Sequence, residues 1–279
     1  MAKQKDIVSI VIPTYNEAKN IGRLLASIEK QTYPKIETIV VDDASKDWTV
    51  KIAKKYHARV FQRGHAERSI QRNFGAQMAK GQYLLFLDAD MRLSPKVVTA
   101  CVEAVKKDTK TPAATILEKS VASSFWEKVK GFERSFYNLE GDELTDAARF
   151  FNKRVFLKIG GYDEKITGPE DWDLTERLKR KKYKIAVIAS LIYHYERIPS
   201  ILSLIKKKYY YALKSHRYLR KHKTSVFSAK TIYFLRPVFY KNLGKLIANP
   251  TLTLAMFLML FLEQVAGLVG YLIGVSKND

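Results

Sequence analysis

The sequence predicts an α/β fold, a mostly parallel sheet with helices on both faces. Three observations carry this. Short apolar, β-branched or aromatic runs recur at residues 7–12, 36–41, 59–62 and 83–87. Between them lie stretches whose apolar residues keep a three-to-four spacing, the mark of a helix with one buried side. The runs at 7–12, 36–41 and 83–87 also end in polar clusters, PTYNE, DDASKD and DAD, and not in two-residue hairpin turns. A strand–helix–strand rhythm of this kind gives parallel strands joined by crossover helices.

The first run, IVSIVI, reads as a strand that stops at Pro13-Thr14-Tyr15-Asn16-Glu17. Asn20 can cap a helix carrying Ile21, Leu24, Leu25 and Ile28 on one side. Residues 36–41 form a second strand, 50–56 a helix, 59–62 a short strand and 69–80 a helix. The run YLLFL at 83–87 then passes straight into Asp88-Ala89-Asp90. Five apolar residues closed by carboxylates suit a strand buried on both faces. In open α/β sheets the C-terminal strand edge is where ligands bind. Two carboxylates there suit a hard divalent cation that also holds substrate phosphates. Glu17 can accept from a ribose diol, Asp43 from a base N–H, and Tyr15 can lie against a ring. There is no GxGxxG and no GxxxxGK[ST], so neither a dinucleotide fold nor a P-loop is supported.

Residues 92–110 read as a helix opened by Ser94-Pro95, 113–117 as a strand and 120–139 as an aromatic-rich helix. The stripe Phe125, Trp126, Val129, Phe132 and Phe136 has two readings: packing on the sheet, or an acceptor-facing or membrane-touching side. Gly160-Gly161 permits a tight turn. Glu170-Asp171-Trp172-Asp173 opens a helix over 174–181, where acidic residues complement free N–H groups. Residues 184–189 are strand-like, with His194 just beyond.

The chain has 279 residues, 47% of them hydrophobic, enough for a large domain and an appendage. A single cysteine, Cys101, excludes an internal disulfide framework and a Cys-based zinc site. MAKQKDIVSIVI has no long apolar stretch before strand-like residues begin, so no cleavable signal peptide is expected. The net charge of +21 is uneven: between Glu196 and Glu263 lie thirteen Lys or Arg residues and no acid. Such a block wants a polyanion, nucleic acid or an anionic membrane face. Residues 199–223 and 230–247 read as basic interfacial helices with apolar and aromatic sides. Asn249-Pro250 then caps residues 251–275, 25 residues with one charge, Glu263. A helix of that length reaches roughly 37 Å, against a hydrocarbon core of about 30 Å. A transmembrane helix is expected, or a hairpin broken near Glu263-Gln264. Glu263 at mid-bilayer costs about 2.5–3.5 kcal/mol, so it is expected to face protein, water or a partner helix. Ala266, Gly267, Gly270 and Gly274 would let such a helix approach, which also allows an oligomer. The basic block on its N-terminal side places the catalytic domain on the cytoplasmic side of the cell membrane. The expected parts are a catalytic domain over 1–198, interfacial helices over 199–248 and a membrane segment over 249–279.

Taken together, PTYNE at 13–17, DDASKD at 42–47, QRNFGAQMAKGQYLLFLDAD at 71–90 and GPEDWDL at 168–174 resemble the family 2 glycosyltransferases of GT-A fold. The resemblance covers roughly residues 6–196. It implies a nucleotide-sugar donor, a divalent metal (Mn²⁺ or Mg²⁺) and inversion at the anomeric carbon. It assigns Pro13, Tyr15, Glu17, Val41 and Asp43 to the nucleoside, and Asp88, Ala89 and Asp90 to the sugar nucleotide. Asp88 and Asp90 would also hold the metal. Arg72 stands where the family often places a polar donor contact; a helix-surface charge is the other reading. His194 would complete the metal site, and a nitrogen ligand favours Mn²⁺ over Mg²⁺. Asp171 becomes the candidate general base, with Gly161, Glu170 and Trp172 toward the acceptor. The layout is similar to membrane-bound mannosyltransferases of lipid-linked glycan assembly. It points to GDP-mannose as donor, UDP-sugars being second, and to a lipid-linked saccharide as acceptor. A polyprenyl-phosphate sugar transferase is the near alternative. A non-enzymatic nucleic-acid binder explains the basic helices but not the apolar segment, so no nucleic-acid partner is expected.

Overall fold

The computed structural model describes residues 6–139 and 147–277. Residues 1–5, on which part of the signal-peptide expectation rests, lie outside that range. The elements run β1 (Val8–Thr14), α1 (Ile21–Glu29), β2 (Ile36–Asp42), α2 (Thr49–Lys55), β3 (Arg59–Gln62), α3 (Arg68–Met78), β4 (Tyr83–Phe86), β5 (Met91–Leu93) and α4 (Val97–Lys107). Then come β6 (Ala113–Val121), α5 (Phe125–Arg134), β7 (Phe150–Asn152), α6 (Lys153–Lys158), α7 (Glu170–Arg180) and β8 (Ile185–Tyr195). The chain ends in α8 (Ile201–Ala212), α9 (Ser215–His222), a 3-10 turn at Tyr233–Leu235, α10 (Pro237–Lys241), α11 (Leu243–Ile247) and α12 (Pro250–Ser276).

The strands form one sheet in the order β3-β2-β1-β4-β7-β6-β8-β5. Its first four strands are parallel, as the crossover rhythm requires. Beyond β4 the pairings β4–β7, β6–β7 and β5–β8 are antiparallel. This is the mixed α/β architecture of the GT-A fold.

The chain divides into two compact units. The first comprises residues 1–118, 147–164 and 174–194; the second comprises 119–146, 165–173 and 195–279. In the first unit, successive strand residues alternate between two cores. Val8, Ile10, Ile12, Leu85 and Leu87 pack with α1 and α4 residues such as Leu24 and Val98. Val11, Val41, Leu84 and Phe86 pack with Ala76, Phe156 and Leu174 on the other face. Both faces are covered, which is why the strand sequences read as continuous apolar runs.

In the second unit the aromatic stripe of α5 finds its partners. Val129, Phe132 and Phe136 pack with Phe239, Leu246, Met256, Met259 and Leu260. Phe125 at the head of the stripe is exposed; the rest is core, though it packs on the C-terminal helices and not on the sheet. Several boundaries also move. The strand expected over 113–117 runs on to Val121, and α5 starts only at Phe125. There Ser124 and Glu127 form a reciprocal capping box. Its hydrogen bonds, the Ser124 N–H first, pull the Glu127 carboxyl down to about 2. The two basic stretches are broken into α8, α9 and three shorter pieces. Residues 251–275 belong to one unbroken helix with no hairpin at Glu263, and its N-cap and first-turn proline are Asn249 and Pro250 as expected.

Candidate active site

The site in the first unit is assembled at the C-terminal ends of β1, β2 and β4. Parallel register sets Pro13 opposite Val41 and Thr14 opposite Asp42. The two following loops are then stitched together. The Asn16 N–H donates to Ser45 Oγ at 2.8 Å, and the Lys46 N–H donates to Asn16 Oδ1 at 2.9 Å. The Glu17 N–H donates to Thr49 Oγ1 at 2.7 Å and the Ala18 N–H to Asp47 Oδ2 at 3.0 Å. Asn16 holds φ +53°, a left-handed conformation that asparagine tolerates better than most residues. Glu17 accepts from Asn20 Nδ2 at 2.9 Å. Asn20 is therefore the N-cap residue of α1 without a side-chain cap.

Tyr15 stands 52% exposed at this rim, its ring 6.1 Å from that of His65. Asp43 is buried, accepting from the Ala66 N–H at 2.8 Å and facing His65 Nδ1 at 2.7 Å. A carboxylate oxygen has two lone-pair directions, so these bonds fix Asp43 and leave acceptor capacity for a ligand. His65 stands in the loop after β3, where no motif marks it, so sequence reasoning missed it.

Below this rim Arg72 is fully buried on α3, which removes the helix-surface alternative. Its Nη2 lies 2.9 Å from Asp88 Oδ1, and its guanidinium carbon 5.2 Å from the Tyr162 ring centroid. Asp88 Oδ2 faces Arg149 Nη1 at 3.6 Å. Burial pushes the Asp88 carboxyl up, but Arg72 and then Arg149 outweigh it and hold it well below the usual carboxylate range. Asp88 is a fixed anion.

Asp90 and His194 meet across an antiparallel pair. His194 pairs with Met91 in the β5–β8 ladder and lies inside β8, not after it. Its Nε2 is 3.6 Å from Asp90 Oδ1 and its Nδ1 is 3.3 Å from Glu118 Oε2. Glu118 is itself bound by Arg149 Nε at 2.6 Å. A carboxylate behind a histidine fixes its ring and turns the other nitrogen outward, the arrangement typical of metal-bound histidines. Two ligands of one cation, each about 2.1 Å from it, stand about 3–4 Å apart, and Asp90 and His194 fit that spacing. No three His, Cys, Asp or Glu side chains converge as a ready-made metal cluster among the described residues. Asp88, the third expected ligand, has both oxygens turned to arginines. The cation half of the expectation thus rests on Asp90 and His194.

Gly161, expected toward the acceptor, also lies in the first unit, at φ +62°. A Cβ there would meet Asn73 Oδ1 at 2.7 Å, and that oxygen already accepts from the Tyr162 N–H. Glu170, Asp171 and Trp172 lie in the second unit, at the first turn of α7. Glu170 is buried and Asp171 half-buried. Asp173 is fully buried and held at 2.7 Å by both Lys221 Nζ and His222 Nε2 from α9. Trp172 lines a cavity of about 220 Å³ with Tyr211, Tyr218, Tyr233, Tyr271 and Lys208. Burial pulls the Lys208 ammonium down to about 8.

The family profile described as glycosyl transferase family 2 matches residues 9–159, more than half of the chain and the whole run from β1 past β7. The chain belongs to glycosyl transferase family 2. A poly(ribitol-phosphate) β-N-acetylglucosaminyltransferase, TarS, of Staphylococcus aureus is 28% identical over 222 residues, covering 74% of this chain and 35% of the relative. The chain thus spans about a third of that relative's length. An uncharacterized glycosyltransferase, MJ1057, of Methanocaldococcus jannaschii is 28% identical over 261 residues, covering 85% and 86%. Among solved structures, the mannosyltransferase PcManGT of Pyrobaculum calidifontis, in complex with GDP-Man and Mn²⁺, superposes with a TM-score of 0.62. That match has 17% identity and covers 97% of this chain and 88% of the other. S. aureus TarS 1–349 with UDP gives a TM-score of 0.56 at 21% identity, covering 98% and 91%.

Proposed function

We propose that this glycosyltransferase is an inverting hexosyltransferase that moves mannose from GDP-mannose to a hydroxyl of a lipid-linked saccharide at a membrane. The observation that carries the reading is the single sheet edge holding Asp43 and Tyr15, the Arg72–Asp88–Arg149 set and the Asp90–His194 pair. Tyr15 offers a ring face to the base, and Asp43 an acceptor to its N–H groups. Glu17 stands at the same rim for the ribose, with Pro13 and Val41 as backbone walls. Asp88, kept ionised by its arginines, accepts from a sugar hydroxyl. A divalent cation at Asp90 and His194, Mn²⁺ or Mg²⁺, would neutralise the diphosphate as it departs. UDP-sugars are the second donor class, favoured by the N-acetylglucosaminyl transfer in the name of the TarS relative. Screening nucleotide diphosphates with Mn²⁺ by thermal shift separates the two, since a bound donor stabilises by RT ln(1 + [L]/Kd).

Asp171 takes the proton from the acceptor as it attacks the face opposite the departing diphosphate. A phosphate monoester is already ionised near pH 7 and needs no base. A dedicated base therefore favours a hydroxyl acceptor over a polyprenyl phosphate. Glu170, Trp172 and Gly161 are assigned to the acceptor. The aromatic cavity beside Trp172 supports this, because ring faces suit the C–H faces of sugars and the apolar neck of a lipid. Asp171→Asn is expected to lower transfer at least about 100-fold while donor binding by calorimetry stays within about twofold. Normal transfer by that variant removes Asp171 from the mechanism. Equal transfer to a polyprenyl phosphate and to a lipid-linked saccharide removes the acceptor assignment.

A further inference from the structure

We infer that α12 lies along the surface of an anionic bilayer as an in-plane anchor and does not cross it. This deepens the membrane part of the proposed function and does not depend on its chemistry. The helix is long and apolar enough to span. A crossing needs about 20 residues. Any 20-residue window within 250–276 contains residues 257–269, and so always contains Glu263. What packs on that stretch decides the orientation.

Glu263 is 5% exposed and meets Lys130 Nζ of α5 at 3.3 Å. Lys130 also binds Glu133 at 3.1 Å, and Arg236 faces Glu133 at 3.8 Å. On the next turns α8 lies against α12. A Cβ on Gly267 would touch Lys208 at 3.6 Å, one on Gly270 would meet the Tyr209 carbonyl at 2.5 Å, and one on Gly274 would overlap the Leu213 carbonyl. The helix that the glycines admit is thus a basic helix of the same chain. On α8 the outward Lys206 and Lys207 stand level with the middle of α12 and are exposed. A crossing would carry these two exposed ammonium groups and the whole Lys130 cluster into hydrocarbon.

The opposite side of α12 carries none of this. Leu254, Leu258, Phe261, Val265, Leu268, Val269 and Leu272 are 45–74% exposed and recur at helical spacing. The buried set, Met256, Leu260, Glu263, Ala266, Gly270 and Gly274, recurs on the other face. This is one apolar stripe along about 27 Å of helix, and the lysines come from the packed α8, so the pair together carries the apolar and basic parts of an interfacial element. Elements packed on α12 expose apolar residues too, Leu202 and Tyr210 on α8 and Ile247 on α11. Lys206 and Lys207 share the exposed side of α8 with Leu202 and Tyr210, so their stems can lie on acyl chains while their ammonium groups reach headgroup phosphates. The absence of any acid between Glu196 and Glu263 makes the complementary partner an anionic lipid surface.

The test places single cysteines at the two exposed ends of α12, Thr251→Cys and Ser276→Cys, in the full-length protein in native membrane vesicles. Cys101 is fully buried and does not interfere. A membrane-impermeant maleimide is expected to label both positions from the same side of sealed vesicles. Labelling from opposite sides overturns the proposal in favour of a crossing. On added vesicles, binding is expected to be at least about tenfold tighter with a third phosphatidylglycerol than with phosphatidylcholine alone. Leu258→Asp is expected to lower it about tenfold or more, and Lys206→Glu with Lys207→Glu to remove only the phosphatidylglycerol preference. A chain that binds neither vesicle and instead runs as a dimer shows a second copy on the stripe and also overturns it. Nucleotide diphosphate binding, measured on the same samples, reports the proposed activity separately, so loss of one reading is not mistaken for loss of the other.

Discussion

Two buried charge networks among the described residues are built for opposite ends. In the first unit Arg72, Asp88, Arg149, Glu118, His194 and Asp90 form a row that finishes in a carboxylate and an imidazole 3.6 Å apart, a gap of cation size. In the second unit Glu263, Lys130, Glu133 and Arg236 close on themselves, two acids against two bases, with Tyr137 donating to Glu133 at 2.7 Å. Burial pulls the Lys130 ammonium down, but Glu133 and then Glu263 outweigh it and raise it above the usual lysine range. A carboxylate and an imidazole at that spacing can share a cation. A closed set can only hold its helices together. The lesson is that burial and ion pairing alone do not mark a site; a carboxylate and an imidazole at ligand spacing beside the strand ends do.

Substitutions that separate the two roles sharpen this contrast. The largest effect is expected from Asp88→Asn, which leaves the 1%-exposed Arg72 side chain without its anion. Transfer activity should fall at least about 100-fold, with a stability loss of about 3 kcal/mol by denaturant unfolding. Lys130→Met is expected to do the reverse. It takes the Lys130 ammonium from Glu263 and leaves Glu133 to Arg236 and Tyr137, and should cost about 3 kcal/mol, while nucleotide affinity at low temperature stays unchanged. Adding Glu263→Gln to Lys130→Met should recover more than half of that loss. Should Lys130→Met abolish nucleotide binding in folded protein, the two networks are not separate in function.

The smallest effect concerns the cap of α5, near the closed network. Ser124→Ala should cost about 1 kcal/mol. Glu127 titrates at about 2 in the fold, below its ordinary value of 4.5. Its contribution is therefore complete above pH 4.5 and lost as pH falls toward 2. Glu127→Gln, which removes the carboxylate that the Ser123 and Ser124 N–H groups bind, should flatten the stability profile in that window, read by thermal unfolding at stepped pH. An unchanged profile would show that the capping box contributes nothing.

Legibility in the sequence followed the same divide. Strands buried on both faces leave continuous apolar runs, and the polar residues that end them fall at one edge by topology. Tyr15, Asp43, Asp88 and Asp90 could therefore be placed from spacing and resemblance. Glu118 and Arg149 could not, since each reaches the site through tertiary packing, and His65, in the loop after β3, carries no motif to mark it. The second unit was harder still. Residues 199–223 and 230–247 were continuous amphipathic patterns in sequence but broke into short helices once α12 claimed their apolar sides. Glu263 looked like a charge awaiting a partner helix, and the partners, α5 and α8, were already in the chain. Even the α5 stripe, legible as core, was assigned to the sheet when its partners were Phe239 and Met256.

The central claim is that the rim of the parallel half-sheet holds a nucleotide diphosphate through a cation seated on Asp90 and His194. Calorimetric titration of GDP and UDP with and without Mn²⁺, on the native protein and on Asp90→Asn, tests it most directly. The account predicts that Mn²⁺ tightens binding of one diphosphate by about tenfold or more in the native protein, and that the variant loses this gain while keeping the weaker metal-free binding. Equal affinity with and without Mn²⁺, or a gain that survives in Asp90→Asn, would contradict it.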